Sequence, residues 1–211
     1  LNKFINMKTA VLLTSMMLCS IIVFSQTENI KNDAKYRFGF NLGTNYSNLQ
    51  SKETLPSNAK ISNGLGFSLG VFMDYSISEN FIFSPKSELS FYKSSVEFVD
   101  TDNSNYTYEI FPMSLNFMTH FVYKIGNSKV VPYFFAGPNF KIPISKRPDS
   151  SSEFYTHSDF AIDLGIGLEH KTKHFIFAPE LKYSFGLLNV NQNPTLQTLS
   201  FHNVSVVLNF K

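Results

Sequence analysis

Two of the five histidines in this chain have a spacing that could bind a metal ion. His170 and His174 flank residues 171–173, a run short enough for a tight turn, and would face each other across it. Two imidazoles need at least one further ligand. The nearest carboxylate, that of Glu169, should point to the opposite face of its strand. We therefore predict two exposed turn histidines and no metal site.

Serine, histidine and aspartate also lie close together in the sequence, as a nucleophilic triad would require. Ser158 stands between His157 and Asp159, and Ser205 follows His202. Consecutive residues of an extended strand point to alternate faces, so neither set can assemble a nucleophile, a base and an orienting acid alone. The sequence therefore predicts that the protein is not an enzyme.

A polar stretch contains calcium-type ligands, namely Asp100, Asp102, Asn103 and Asn105. No bidentate glutamate follows at the spacing of a calcium loop, so we expect an ordinary polar loop. His120 falls on the polar face of a predicted strand, where it could join Glu88 or Glu180 in a structural network. We predict no cofactor for the chain.

The strands that position these side chains are clearest in the hairpin at residues 158–188. Its first arm, SDFAIDLGIGLEH, and its second arm, HFIFAPELKYSFGLL, both alternate apolar residues with small or polar ones. A period of two indicates extended strands with one apolar and one polar face. The apolar face would point inward in a soluble barrel and outward in a membrane barrel.

The rest of the chain repeats this unit. We predict eight strands, at residues 36–46, 65–77, 81–99, 106–125, 129–144, 158–170, 174–188 and 200–210. Prolines break the pattern of the fifth. The connections alternate between long (47–63, 100–105, 145–157 and 189–199) and short (78–80, 126–128 and 171–173). Transmembrane barrels segregate their loops in this way, with the short turns in the periplasm.

The sequence therefore predicts an all-β protein, an eight-stranded antiparallel up-and-down transmembrane β-barrel of the bacterial outer membrane. The polar face carries charges of both signs, which would pair inside a narrow and mostly closed lumen. The candidate lumen polar network comprises Arg37, Glu88, Asp163, Glu169, Glu180 and Lys182. Tyrosines near several strand ends would form an interfacial girdle.

The N-terminal segment has the pattern of a targeting signal. Met7 and Lys8 begin a charged segment, and residues 9–24 form an apolar run. We predict that residues 1–25 are a secretory signal peptide, with residues 1–6 as an upstream extension. A transmembrane anchor is disfavoured because the run is short and polar sequence follows at once.

The remaining sequence forms one domain. We expect residues 26–35 to be a periplasmic lead-in and residues 36–211 to be the barrel. Lys3 and Lys8 account for the net charge of +2, so the mature chain would be neutral, which excludes the basic surface of a nucleic-acid-binding protein. Cys19, the only cysteine, lies in the predicted signal, so the mature chain would have no disulfide.

Four segments carry a resemblance to a known family: YTYEIFPMSLNF (106–117), VPYFFAGPNFK (131–141), DFAIDLGIGLEH (159–170) and FIFAPELKYSFGLLNV (175–190). They resemble the small outer-membrane β-barrels of Gram-negative bacteria, the family that includes PorT. The resemblance covers nearly all of the predicted mature chain and implies an eight-stranded barrel. It also implies a connection with type IX protein secretion, in which PorT is implicated. No catalytic residue carries over.

The favoured interpretation is a non-enzymatic, PorT-like outer-membrane barrel, a component or assembly factor of a secretion apparatus. Its partners would be outer-membrane lipid and other envelope proteins. One alternative is an adhesin or envelope-integrity barrel that acts through its outer loops. Another is a soluble, lipocalin-like periplasmic barrel that binds an apolar ligand. An outer-membrane hydrolase is disfavoured because no triad is assembled.

Overall fold

The computed structural model describes residues 35–99, 105–144, 156–193 and 196–211. The predicted signal segment, most of the predicted lead-in, and Asp100, Asp102 and Asn103 lie outside these residues. Within the described ranges the regular structure is extended strand. No helix in this part of the chain is long and apolar enough to span a membrane.

The strands follow one another as a meander. They are β1 (Tyr36–Ser51), β2 (Ala59–Ser76), β3 (Phe81–Val99), β4 (Asn105–Glu109), β5 (Met113–Lys124), β6 (Val130–Pro143), β7 (Asp159–Lys171), β8 (Ile176–Gly186) and β9 (Leu199–Phe210). All pairings are antiparallel: β1 to β3 pair in order, β3 pairs with both β4 and β5, and β5 to β9 pair in order. β9 returns to β1, with Leu208 opposite Leu42, so the sheet closes into a barrel.

Strands β4 and β5 are two halves of one barrel strand. β4 pairs with the outer part of β3, where Glu109 lies opposite Ser95, and β5 pairs with the rest, where Met113 lies opposite Phe91. Residues 110–112, which include a proline, interrupt the strand, because proline has no N–H to donate. The barrel is thus eight-stranded, as predicted, but the predicted fourth strand, 106–125, is broken.

The prolines of the predicted fifth strand leave its alternation of side chains intact, although its pairing with β5 is interrupted at Gly137 and Pro138. In β6, exposed and buried side chains alternate, and Pro132 and Pro138 lie on the outward side. The alternation continues because the rings of Pro132 and Pro138 face away from the lumen while inward side chains such as Phe135 remain buried. The expected irregularity is confined to the pairing with β5 at Pro138.

The apolar face of the barrel points outward. Leu42, Val71, Leu164 and Ile166 are each more than half exposed in the middle of their strands. Apolar side chains in this position suit a lipid environment. The arrangement contradicts the lipocalin-like alternative, in which such side chains would line the interior.

Strands β1 and β2 extend past the residues predicted for them. We expected a loop at 47–63, but β1 continues to Ser51 and β2 begins at Ala59. Asn48 lies opposite His202 of β9, and Ser62 opposite Ser95 of β3, so both extensions are paired. The outward side chains of these extensions are polar, so apolar and polar residues do not alternate there. The sequence pattern therefore does not identify these residues as strand.

A separate apolar cluster, here called the outer cap, lies at the long-loop end. It joins buried residues of β1, β3, β4 and β9 to the segments between β4 and β5 and between β8 and β9. Its members are Leu49, Val96, Tyr108, Ile110, Phe111, Val190, Leu196, Leu199 and Phe201. The outer cap ties the extended strands and long connections together, and the sequence patterns did not predict it.

Candidate functional site: an ion-paired lumen under an outer plug

Paired charges fill the centre of the lumen. Lys86 of β3 places its Nζ 3.1 Å from Oε2 of Glu180 on β8. The hydroxyl of Tyr133 on β6 donates to Oε1 of the same carboxylate at 3.0 Å. All three side chains are buried. A buried carboxylate is tolerated only when it is paired and hydrogen-bonded, and Glu180 is satisfied from two sides.

Asp163 of β7 is the second centre of the network. Its Oδ2 lies 3.0 Å from Nε2 of His120 and 3.9 Å from Nζ of Lys182. The side-chain amide of Asn139 donates to the same carboxylate at 3.1 Å. Lys182 also lies 3.7 Å from Glu88. These contacts join side chains from five strands across the lumen, which is therefore filled by its own side chains.

A third group of charges lies near the short-turn end. Glu169 pairs with Lys124 at 2.7 Å and with Lys211 at 3.1 Å, and Lys211 also pairs with Asp74. Burial disfavours the charged form of Lys211, but the carboxylates of Asp74 and Glu169 outweigh it and raise the pKa of this lysine above its ordinary value. Each buried charge here has a partner of opposite sign.

The outermost ion pair lies just under the outer cap. Lys141 of β6 and Asp159 of β7 are cross-strand neighbours, 3.0 Å apart and fully buried. The ammonium of Lys141 also lies 5.0 Å from the ring centre of Phe201, a cation–π distance. This pair marks the boundary between the charged lumen and the apolar cap.

The predicted network residues lie within this lumen, but several partners differ from those we expected. Glu88, Asp163, Glu169, Glu180 and Lys182 all take part in ion pairs. Arg37 lies on β1 opposite Asp74, at the short-turn end, and is half-buried.

His120 reaches Asp163 instead of the expected Glu88 or Glu180. The alternation of side chains correctly predicts that His120 points into the lumen. Its partner on another strand depends on the pairing register between strands, which the pattern of a single strand does not determine.

Several members of the network were missed in the sequence: Asp74, Lys124, Tyr133, Lys141, Asp159 and Lys211. Those within strands point into the lumen, as do the predicted residues that lie an even number of positions away on the same strand. Asp159, for example, lies four residues before Asp163, and Lys124 lies four residues after His120. Extending each alternation to the end of its strand would have found them.

The residue sets considered for metal or nucleophilic chemistry are not assembled. His170 and His174 are exposed. Ser205 donates to Asn203, whereas the ring of His202 packs 4.7 Å from that of Phe185. Among the described residues, no group of three or more His, Cys, Asp or Glu side chains could hold a metal ion.

Three aromatic side chains close the outer mouth, and we call them the outer plug. The ring centre of Phe201 on β9 lies 5.2 Å from that of Phe111 and 5.0 Å from that of Tyr92 on β3, and Phe201 is fully buried. Phe111 lies in the interruption between β4 and β5 and has a positive φ of 48°. This conformation is strained for a bulky residue, so packing must hold it in place.

A small space lies in the lumen below the plug. At the short-turn end a space of about 10 Å³ remains beside Phe72, Asp74 and Asn209, about enough for one water molecule. An open polar groove of about 690 Å³ lies instead on the outside, at the long-loop end, lined by Glu53, His157, Asn189, Asn191, Gln192, Asn193, Leu196, Gln197 and Thr198.

Comparison with solved structures supports the architecture. Neisserial surface protein A (NspA) aligns with a TM-score of 0.51 and 12% sequence identity over 83% of this chain and 98% of that one. OprG of Pseudomonas aeruginosa aligns with a TM-score of 0.48 and 14% identity over 83% of this chain and 93% of that one. A search of curated proteins found no match. At this identity, the NspA alignment shows a shared fold.

An outward apolar band, a charged interior and a closed antiparallel sheet define a small outer-membrane β-barrel. The family described as outer membrane protein beta-barrel domain matches residues 24–192 of the sequence. The chain belongs to this family and is a protein of the bacterial outer membrane.

Proposed function

We propose that this protein is a non-enzymatic, closed barrel that acts by contact, using its long-loop end to bind another protein at the cell envelope. The observation that carries the proposal is the filled lumen. Ion pairs such as Lys86–Glu180 and Lys141–Asp159 cross the interior, and the outer plug covers the mouth. A conduit for ions or nutrients would need an open and hydrated interior.

The two ends of the barrel differ in the surface they offer. The short turns at residues 77–80, 125–129 and 172–175 present few side chains. The long-loop end has extended strands, the buried outer cap and an open polar groove. A surface held in place by its own core loses less conformational entropy on binding, which favours a contact role.

Site-specific photo-crosslinking in living cells tests this proposal. A photoreactive amino acid would replace Gln192, Gln197 or Glu53 at the long-loop end, and Asn127 or Lys173 at the short turns as matched controls. All five positions are exposed. Protein adducts at the long-loop positions are the expected result. Adducts confined to the short turns would contradict it and indicate a periplasmic partner.

The second candidate is the PorT-like role in type IX secretion, favoured by the four sequence segments that resemble that family. A component or assembly factor of a secretion apparatus would also work by contact, in this case with other envelope proteins. The culture supernatant of a strain that lacks the gene separates the two candidates. Loss of secreted proteins, with precursors retained in the periplasm, supports secretion. An unchanged supernatant leaves the outer surface as the site of function.

A further inference from the structure

One wall of the lumen differs chemically from the rest. Between the outer cap and the short-turn end, where Arg37 and Asp74 lie, the adjacent strands β2, β1 and β9 contribute inward side chains that are uncharged, polar and at most 3% exposed. Each carries a buried polar atom without a hydrogen-bond partner among the described residues. We call this set the neutral wall; it comprises Asn41, Asn45, Ser47, Ser68, Asn203 and Asn209.

The strand register places these groups in a line along the barrel. Asn41 lies opposite Asn209 of β9, and Ser47 lies opposite Asn203. Between them, Gly43 lies opposite Ser68 of β2. Side chains of one face recur every two residues, a distance of about 7 Å along a strand. The unpartnered atoms therefore follow one another from near the short-turn end to the base of the outer cap.

Glycines on the neighbouring strand make room for the amides of the wall. A Cβ atom on Gly66 would lie 2.7 Å from Oδ1 of Asn45, and one on Gly70 would lie 2.9 Å from Oδ1 of Asn41. Both distances are shorter than real Cβ contacts allow. The nearest obstacle at each position is a backbone carbonyl oxygen of β3, that of Phe91 for Gly66 and that of Ser87 for Gly70. Glycine at these positions thus admits both the β3 backbone and the amide oxygens, and neither amide oxygen has a donor among the described residues.

Buried amides and hydroxyls need hydrogen-bond partners, because an unpaired buried polar group is destabilising. The charged lumen residues find theirs in one another. Asn45 and Asn209 each donate to a backbone carbonyl, and Asn203 accepts from Ser205, but every residue of the neutral wall keeps at least one polar atom without a partner among the described residues. A partner for the wall must be small, uncharged, and both donor and acceptor. Water meets these requirements, and buried water bridges such groups in many proteins.

The two ends of the neutral wall are closed differently. Its lower end reaches Asn209, which borders the space of about 10 Å³ at the short-turn end. Its upper end stops at Leu49 and Phe201, two residues beyond Ser47 and before Asn203 on the same strands. Both are fully or almost fully buried in the outer cap. The apolar barrier therefore lies at the outer mouth.

We propose that the neutral wall is a narrow path for water and comparably small uncharged molecules, closed at the outer mouth by the outer plug. The wall carries no charge that could replace the hydration shell of an ion, and the lumen charges opposite it are held in pairs. Removal of the plug should admit water and exclude ions. This activity is distinct from the contact role of the long-loop end.

Stopped-flow osmotic shrinkage of proteoliposomes tests the path. The plug variant combines Phe111→Gly, which also suits the positive φ, with Phe201→Ala; Phe201→Leu alone is a milder version. Phe134→Ala and Phe140→Ala remove outward, lipid-facing rings and serve as controls. The plug variants should shrink severalfold faster per folded barrel than the unaltered protein, and the controls should not. An unchanged rate in folded plug variants overturns the proposal.

Two further measurements distinguish the neutral wall from general leakage. Addition of Asn41→Leu and Asn45→Leu to the plug variant should return shrinkage to the unaltered rate, since the wall loses its polar lining. Potassium conductance of the plug variant should stay at the level of protein-free bilayers. Retained shrinkage or clear ion conductance would each refute the neutral path.

A crystal structure of the unaltered protein provides a test that needs no variant. Ordered waters should bridge the unpartnered atoms of Asn41, Asn45, Ser47 and Ser68. A wall whose amides pair directly with one another, with no bridging water, would overturn the proposal even if every variant failed to fold.

Discussion

At the scale of single residues, the barrel interior is stabilised by matching each buried charge with its opposite. The Lys86–Glu180 pair is typical, with both side chains almost completely buried. Transfer of either charge out of water is costly, and the pair offsets that loss only when both members are present. Removal of one member should therefore destabilise the barrel more than removal of both.

The substitution Lys86→Met should lower the free energy of unfolding by about 3–5 kcal/mol, because Glu180 keeps its charge without a cation. The double variant Lys86→Met with Glu180→Leu should recover much of this loss. Equilibrium unfolding by urea in lipid vesicles measures both values. Lys173→Met, at an exposed turn, is the control and should change stability little. Equal stability of the single variant and the unaltered barrel would refute the pairing argument.

Single residues also show where sequence reasoning reached its limit. Alternation identified Glu88, Asp163 and Lys182 as inward-facing, because the side-chain period of a strand is two. It could not identify Asp163 as the partner of His120, which lies on a strand that does not pair with β7. That contact depends on how β5 and β7 each pair with β6 between them, and the sequence pattern of a single strand does not determine these pairings.

At the scale of elements, β5 and β6 approach so closely that one position requires glycine. A Cβ atom on Gly137 would overlap the carbonyl oxygen of Thr119 on β5. The pairing between the two strands is interrupted at this level, between the Met118–Asn139 and Phe121–Ala136 pairs. Glycine within a strand commonly marks such a close backbone approach.

The substitution Gly137→Val should therefore prevent the two strands from pairing and reduce the yield of folded barrel. Ala136→Val is the matched control, since Ala136 is exposed on the outer surface. Folded outer-membrane barrels that resist detergent migrate differently before and after boiling, so gel mobility measures the folded fraction. Normal folding of Gly137→Val would show that the backbone approach is not required.

A charged side chain on the outward face of a strand should be tolerated only where that face lies outside the lipid bilayer. Leu164 is 52% exposed near the middle of β7. Leu164→Arg should lower the unfolding free energy by about 2–4 kcal/mol, the range for a cation near the membrane midplane. Thr107→Arg on β4, exposed and opposite Glu97 in the outer extension, should have little effect. Similar losses at both positions would contradict the assignment of the lipid-facing band.

The sequence predicts the strand bounds well where contact with lipid requires every second residue to be apolar, and poorly where the outward face contacts water. The predicted third strand, 81–99, has the same bounds as β3. The sequence predicts a loop at the outer ends of β1 and β2 because water contacts their outward face, which therefore carries no apolar signal. The break at residues 110–112 has a local sign in Pro112, whereas the packing of Ile110 and Phe111 into the outer cap has none.

At the scale of the whole molecule, the lumen of the barrel is filled by its own side chains. Ion pairs occupy the lumen from Lys211 at the short-turn end to Lys141 beneath the outer cap. The outer plug then covers the mouth. Such a barrel presents its ends to partners and its wall to lipid. We therefore expect the unaltered protein to be closed to ions and to act by contact.

Planar-bilayer recording of the purified protein tests this claim most directly, provided that the inserted sample is first shown to be folded by its gel mobility. The ion-paired lumen predicts a current no greater than that of the protein-free bilayer across the range of applied voltage. Stable unitary conductance steps, present with the folded barrel and absent after it is denatured by boiling, would contradict the claim and identify the protein as a pore.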